Sequence, residues 1–429
     1  MINISEFSYQ NERFLNLLNR QGDIPGDVIA TVSEVLNDIR TNGDSALKKY
    51  MLKFDGVDLE KTSIKVTEQE FLEAAEHIPQ EFKDAIKLAC DNLFSYHKKQ
   101  KPESYQVSYD NDVILQRKYI PLQRVAVTVP GQMAPLFSTL YMNVIPAIVA
   151  GVPEICIITK PVNGKINDYI LYTAHYLGVK TVYKISGAQG IAAVAYGTEQ
   201  IDKVDAIVGP GNNYTQMAKK LLYGQVKIDS IAGPSEIAII ADEHANARFI
   251  AADLLSQAEH GTGFEASTVF CLSNEQAEKI KNELNQLISE NQLHSPLKSL
   301  QNYGDIFVVD SLETAVEAVN RIAAEHAEIL VQDYESIISK IKNAGAIFVG
   351  EYSPEPTGDY FCGTNHVLPT CGTARFSSGL SVNDFIRGYS VINYTRDALK
   401  KNGEYIKLLA ETEGLKAHSL SVDVRLKEF

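Results

Sequence analysis

The chain has 429 residues, a formal charge of −14, 45% hydrophobic and 22% charged residues, a composition that suits a soluble globular protein of two or three domains. The negative charge opposes phosphate backbones, and no apolar run approaches the roughly 20 residues needed to span a bilayer, so neither nucleic acid nor a membrane is an expected partner. The five cysteines (90, 156, 271, 362 and 371) are odd in number and scattered, which with the absence of a secretory pattern at the N-terminus predicts a cytoplasmic protein with reduced thiols.

Along the chain, Val28, Val32, Val35, Leu36 and Ile39 recur at helical spacing and stop before Asn42-Gly43. Helices are expected over 68–82 and 83–100. From Arg124 the texture changes to short β-branched runs separated by helical stretches. The first are 125–129, 155–159, 179–185, 206–208 and 237–241; then come 267–272, 305–309, 329–331 and 346–349. Buried strands alternating with helices predict an α/β protein with mostly parallel sheets, and their number predicts two lobes. The turns Val129-Pro130-Gly131 and Ala232-Gly233-Pro234-Ser235 mark candidate boundaries. Past Leu380 no further strand is expected, only a small helical tail.

Four polar cassettes carry histidine beside an acid: Gln257-Ala258-Glu259-His260, Glu325-His326, Asp359 with Asn365-His366, and Glu413 with His418. Gln257 and His260, three apart near a helix end, can share one face and a metal, or His260 can cap its own helix. Glu325-His326 follows a helix over 315–324 and precedes a strand, where a carboxylate beside an imidazole can polarise water and move protons; such pairs are also common as structural features. Asp359 and His366 fall in a loop rich in Gly, Pro and Thr, where functional residues concentrate. Cys362, His366 and Cys371 resemble a fragment of a zinc knuckle but lack a CxxC pair. Gly209-Pro210-Gly211-Asn212 and Gly187-Ala188-Gln189-Gly190 are either packing turns or loops that approach an anion, and neither meets the GxGxxG fingerprint. Ser235 is a candidate nucleophile without the GxSxG elbow.

Taken in order, these segments resemble one family, histidinol dehydrogenase, nearly end to end. The resemblance runs through Asn42 to Leu47 with Phe54-Asp55, Pro121 to Gly151, Gly187 to Gly197, Val208 to Asn212 and Ala232 to Glu236. It continues through Leu254 to His260, Glu325-His326, Gly358 to Thr370 and Glu413 to His418. It implies one zinc ion per subunit, held by Gln257, His260, Asp359 and His418, and a cofactor, NAD, contacted by Thr128, Gln189 and Asn212. His326 would be the general base, Glu325 would activate water, and Ser235, His366 and Glu413 would contact substrate. The implied reaction is the four-electron oxidation of L-histidinol to L-histidine through a bound aldehyde, the close of histidine biosynthesis. The implied assembly is a homodimer whose tail delivers His418 and Glu413 to the neighbouring site.

On that footing residues 1–22 are an N-terminal extension, and 23–120 with 236–380 the zinc and substrate lobe. Residues 121–235 are a Rossmann-like NAD lobe, and 381–429 a helical tail that reaches the partner. The chain departs from the family pattern at Thr128 (usually tyrosine), Gln132, Ser186, Gly190, Ala324 and Ala327. These departures leave room for a same-fold zinc and NAD dehydrogenase of another small polar alcohol, such as a sulfonated diol. A carboxylate at Glu413 suits an ammonium group, whereas a sulfonate would require a cation there. A non-catalytic scaffold would have no use for both Glu325 and His326, and a thiol-dependent aldehyde dehydrogenase would depend on Cys156 or Cys271.

Overall fold

The alternating buried runs and helices assemble into two parallel sheets and a small antiparallel one. The computed structural model describes residues 2–20, 26–109, 113–131 and 135–428. Its strands are β1 (Asn3–Glu6), β2 (Tyr105–Tyr109), β3 (Val113–Pro121), β4 (Arg124–Val129), β5 (Glu154–Thr159), β6 (Thr181–Tyr183) and β7 (Ala206–Val208). They continue with β8 (Lys227–Ile228), β9 (Glu236–Ala241), β10 (Ala266–Cys271), β11 (Gly304–Val308), β12 (His326–Leu330), β13 (Ala346–Val349) and β14 (Ile386–Asn393).

The first sheet has the order β6-β5-β4-β7-β8, all parallel. Helices Gly187–Tyr196 and Asn213–Leu222 pack on one face together with Gly26–Tyr50, and helices Phe137–Ala150 and Asp168–Tyr176 cover the other. The second sheet has the order β1-β11-β10-β9-β12-β13, again parallel throughout. Every residue of β9, β10 and β12 is buried, as expected of strands roofed by helices on both faces. No helix of the described residues is long and apolar enough to cross a membrane.

Four features differ from expectation. Residues 26–50 lay Val28, Val32, Val35, Leu36 and Ile39 against the first sheet's helices, whereas the sequence reading grouped 23–120 with 236–380. An amphipathic stripe shows which face of a helix is buried but not which sheet it is buried against. The break between the next two helices falls at Ile78-Pro79, between Glu68–His77 and Gln80–His97, not at residue 82; proline forces the residue before it into extended backbone. Residues 3–6, within the expected N-terminal extension, form an edge strand paired with β11. The tail is not purely helical: β14 pairs antiparallel with β3, which pairs with β2. β14 is largely exposed, so it lacks the buried apolar run that marks strands such as β4, β5 and β9; β1, β2, β3 and β8 were not expected either. Gly43, with φ +49, interrupts the first long helix where the apolar stripe stops. Gln132, named as a departure, lies outside the described residues.

Candidate active site

The parallel pairing of β9 with β12 puts His326 opposite Ile237 at the amino ends of both strands. Helix Ala247–Ala258, which follows β9, returns antiparallel and brings its last turn to the same place. There His326 Nδ1 lies 2.9 Å from Gln257 Oε1 and 3.2 Å from the backbone oxygen of Glu236. Two acceptors on one ring nitrogen assign the proton to Nδ1, so the Nε2 lone pair is free. Nε2 is fully buried and has no hydrogen-bond partner among the described residues. Its nearest polar neighbours are Glu355 Oε1 at 3.7 Å and Asp359 Oδ1 at 3.9 Å.

Burial dominates the electrostatics. It lowers the His326 imidazole to about 4, against the pull of Asp359 in the other direction, so the ring is neutral at physiological pH. Burial, reinforced by Asp359 and Glu236, raises the Glu325 carboxyl well above the carboxylate range. Burial and then Asp359 push Glu355 to about 10. Glu325 accepts from the backbone N–H of Glu236 at 3.2 Å and also meets Ser235. Glu355 and Asp359 come from one short helix, Pro356–Tyr360, and the residue capping it. With His326 they form a group whose donor atoms lie within 4.8 Å of one another, a mixed nitrogen and oxygen set of the kind that zinc accepts.

The expected residues divide into four sets. Ser235, Gln257, Glu325, His326 and Asp359 converge. His366, half-buried with an enclosed and unpartnered Nε2, is within electrostatic reach of Asp359, and His260, exposed just past its helix end, is within reach of His326 and His366. Glu413 and His418 stand apart, exposed on the two tail helices Arg396–Thr412 and Lys416–Leu426 and their junction. Gln189 and Asn212 line a separate cleft of about 300 Å³ with Asp55, Lys160, Gly187 and Tyr214.

That cleft opens past the carboxyl ends of β6 and β7, the usual ligand position of an open parallel sheet. Gln189 Nε2 donates to Asp55 at 2.8 Å, and Asp55 pairs with Lys160 at 2.9 Å. The loop 209–212 is fastened from beneath: Lys219, fully buried, donates to Gly209 O at 2.8 Å, and Asp229 accepts from Gly209 N at 2.7 Å. Gly209 has φ +104, and a Cβ there would stand 2.4 Å from Thr128 O. Thr128 is thus buried behind the loop and does not line the cleft itself.

Three residues escaped the sequence reading. Glu355 carried a signal, a second carboxylate four residues before Asp359, one helical turn away. Glu236 reads as an ordinary strand residue, and Phe348, whose ring lies 5.8 Å from that of His326, as ordinary core.

The family model described as histidinol dehydrogenase matches residues 18–426. The histidinol dehydrogenase of Clostridium acetobutylicum is 45% identical over 427 residues, which cover 99% of this chain and 98% of the relative. That of Halalkalibacterium halodurans is 46% identical over 399 residues, 92% of this chain and 93% of the relative. The crystal structure of histidinol dehydrogenase from Elizabethkingia anophelis superimposes with a TM-score of 0.93 at 36% identity, over 100% of this chain and 98% of that one. With its fold, its length and its sequence in agreement, the chain belongs to the histidinol dehydrogenase family of oxidoreductases.

Proposed function

We propose that the protein oxidises L-histidinol to L-histidine in two successive NAD-linked steps, with the aldehyde retained between them. The observation that carries this reading is the His326 Nε2: neutral, buried, unpartnered and directed between the carboxyl groups of Glu355 and Asp359. A free imidazole lone pair in such a place has the properties of a general base.

Zinc fits the donor chemistry of the pocket. In our reading Gln257, His260 and Asp359, two oxygen donors and a nitrogen, would hold it with His418 of the partner subunit, leaving His326 free as the base. When bound it supplies Lewis acidity and a fixed anchor for a chelating substrate. The buried carboxamide of Gln257 is already oriented by its contact with His326. The loops bearing Gln189 and Asn212 would form the cleft for NAD, which would supply the hydride acceptor when bound, with Thr128 setting the loop from behind.

His326 removes the hydroxyl proton at Nε2 while its Nδ1–H stays held by Gln257 and Glu236. After the first oxidation a water must add to the carbonyl, and Glu325, beside Ser235, orients it. His326, having given up that first proton and become neutral again, then takes the proton of the hydrate in the second oxidation. Ser235, His366 and the partner's Glu413 surround the substrate. The tail points to a homodimer, since Tyr405, Leu408, Leu409, Leu415, Leu420 and Val424 are all exposed on it. No disulfide joins any of the five cysteines, which suits residence in the cytosol.

The decisive experiment counts NADH formed per L-histidinol consumed by zinc-loaded protein. Two supports the complete reading. One places the stop at the aldehyde and implicates water activation, and none rejects histidinol as the substrate.

A further inference from the structure

We propose that Arg20 and Glu236 are positioning residues for the Glu325–His326 pair, so that the N-terminal segment holds the catalytic group in register from behind. The inference rests on the roles given above to Glu325 and His326, and it adds two residues that touch neither substrate nor cofactor.

Glu236 opens β9 and is almost completely buried. Its main chain holds both members of the pair: its carbonyl oxygen lies 3.2 Å from His326 Nδ1, and its N–H donates to Glu325 Oε2 at 3.2 Å. Its side chain closes the loop, accepting from the backbone N–H of Glu325 at 3.3 Å. The same carboxylate receives the backbone N–H groups of Cys371 and Gly372. Those two residues have φ +52 and +73, and successive N–H groups in a tight turn can converge on one anion. One carboxylate therefore joins the start of β9, the start of β12 and the 371–372 turn.

A buried carboxylate so placed needs a cation. Arg20 supplies it, with Nη2 2.8 Å from Glu236 Oε1 and both side chains almost wholly enclosed. The guanidinium also donates to Pro234 O at 3.3 Å and lies over the ring of Tyr303 at 5.4 Å. Contacts on several sides fix where its charge sits. Arg20 comes just after helix Glu12–Leu18, whose Phe14 and Leu17 are buried against the second sheet. The N-terminal strand and helix thus anchor a charge that ends, through Glu236, on the catalytic pair.

The test uses Arg20→Lys, Arg20→Met, Glu236→Gln and the Arg20→Met/Glu236→Gln double variant in the full-length, zinc-loaded enzyme. Lysine retains the charge but not the fork, which keeps a folded variant available if methionine proves too disruptive. We expect kcat to fall about tenfold in Arg20→Lys and about a hundredfold in Arg20→Met, with KM for L-histidinol and zinc content unchanged. The double variant should lose no more than Arg20→Met alone, since both changes break one chain of contacts. A readout independent of turnover is the ¹⁵N shift of the His326 ring. Wild type and Arg20→Lys should show the Nδ1–H tautomer, and Arg20→Met a mixture of tautomers. A kcat within twofold of wild type in folded Arg20→Lys, with its tautomer unchanged in Arg20→Met or Glu236→Gln, overturns the inference; so does a kcat loss that only follows lost zinc. If wild type makes no NADH from histidinol, the functional reading fails, and the tautomer comparison still decides this one.

Discussion

Gly358 faces Phe348 so closely that a Cβ on the glycine would stand 2.7 Å from the Cζ of the ring. The same ring lies 5.8 Å from the imidazole of His326, tilted by 56°. Phe348 is therefore a spacer, with the base on one side and the helix carrying Asp359 on the other. Replacing Gly358 by Ala must push that helix away from His326 or swing the ring into it. Displacements of about 1 Å cost on the order of a hundredfold in rate. We expect Gly358→Ala to lose about that factor in kcat and to bind zinc more weakly, with an unchanged far-UV circular dichroism spectrum. Wild-type turnover in this variant would show that the spacer has slack.

His326 yields a prediction with a pH sign. Burial holds its imidazole near 4, so the ring is unprotonated through neutrality and gains its proton only in acid. The acidic limb of kcat/KM in the free enzyme should lie well below the ordinary imidazole value of about 6.5. His326→Leu should lower kcat by roughly 10²–10⁴, the usual worth of a positioned base, while zinc content holds. A limb at the ordinary value, or a variant that keeps its rate, would transfer the proton to another group.

How much of this arrangement was readable in advance depended on how each part advertises itself. The buried parallel strands were legible because continuous Val, Ile and Ala runs have no other economical use, and β9, β10 and β12 are buried at every position. β14 was not, because its exposed pattern carries no such run. The cassettes around Gln257, Glu325-His326 and Asp359 were visible as residue types, but nothing in their spacing brings them to one point. That convergence comes from the pairing of β9 with β12 and from the returning helix, which are long-range facts. Glu236 illustrates the limit: its side chain makes an ion pair with Arg20, 216 residues away in sequence, and no local pattern encodes that distance.

Glu328 lies two residues beyond His326 on the same face of β12, against Asp253 of helix Ala247–Ala258. Burial and their mutual repulsion raise Glu328 to about 9, and Asp253 is raised as well, chiefly by burial. An acid whose folded pKa is raised contributes stability that is complete below its unfolded value of about 4.5 and is lost as pH rises through the folded value. The protein should therefore lose melting temperature progressively as pH rises from about 4.5 to about 9. Glu328→Gln keeps the shape and the hydrogen-bond donor but has no proton to lose. We expect the variant to show a flatter dependence of Tm on pH across that window and a higher Tm at its alkaline end. Parallel Tm curves for the two proteins would assign the pH dependence elsewhere.

The tail supplies the last prediction. Helices Arg396–Thr412 and Lys416–Leu426 pack against each other, with Leu426 closing on Gly403, where a Cβ would meet it at 2.9 Å. Several of their other apolar side chains face outward, with Leu409 70% and Leu408 61% exposed. Exposed leucines in such number on one hairpin are expected to be covered by another surface, and His418 sits among them, exposed and away from Asp359. If a second copy covers this hairpin, each site draws His326 from one chain and His418 from the other. His326→Leu and His418→Ala subunits would then each be inactive alone. In their mixed dimer one site carries both defects and the other carries neither. Random exchange at equal amounts makes half the dimers mixed, with one of two sites intact, so about a quarter of wild-type activity should return. Full exchange, verified by mass difference, with no recovery would place both histidines in one chain's site and leave the tail a purely structural clasp.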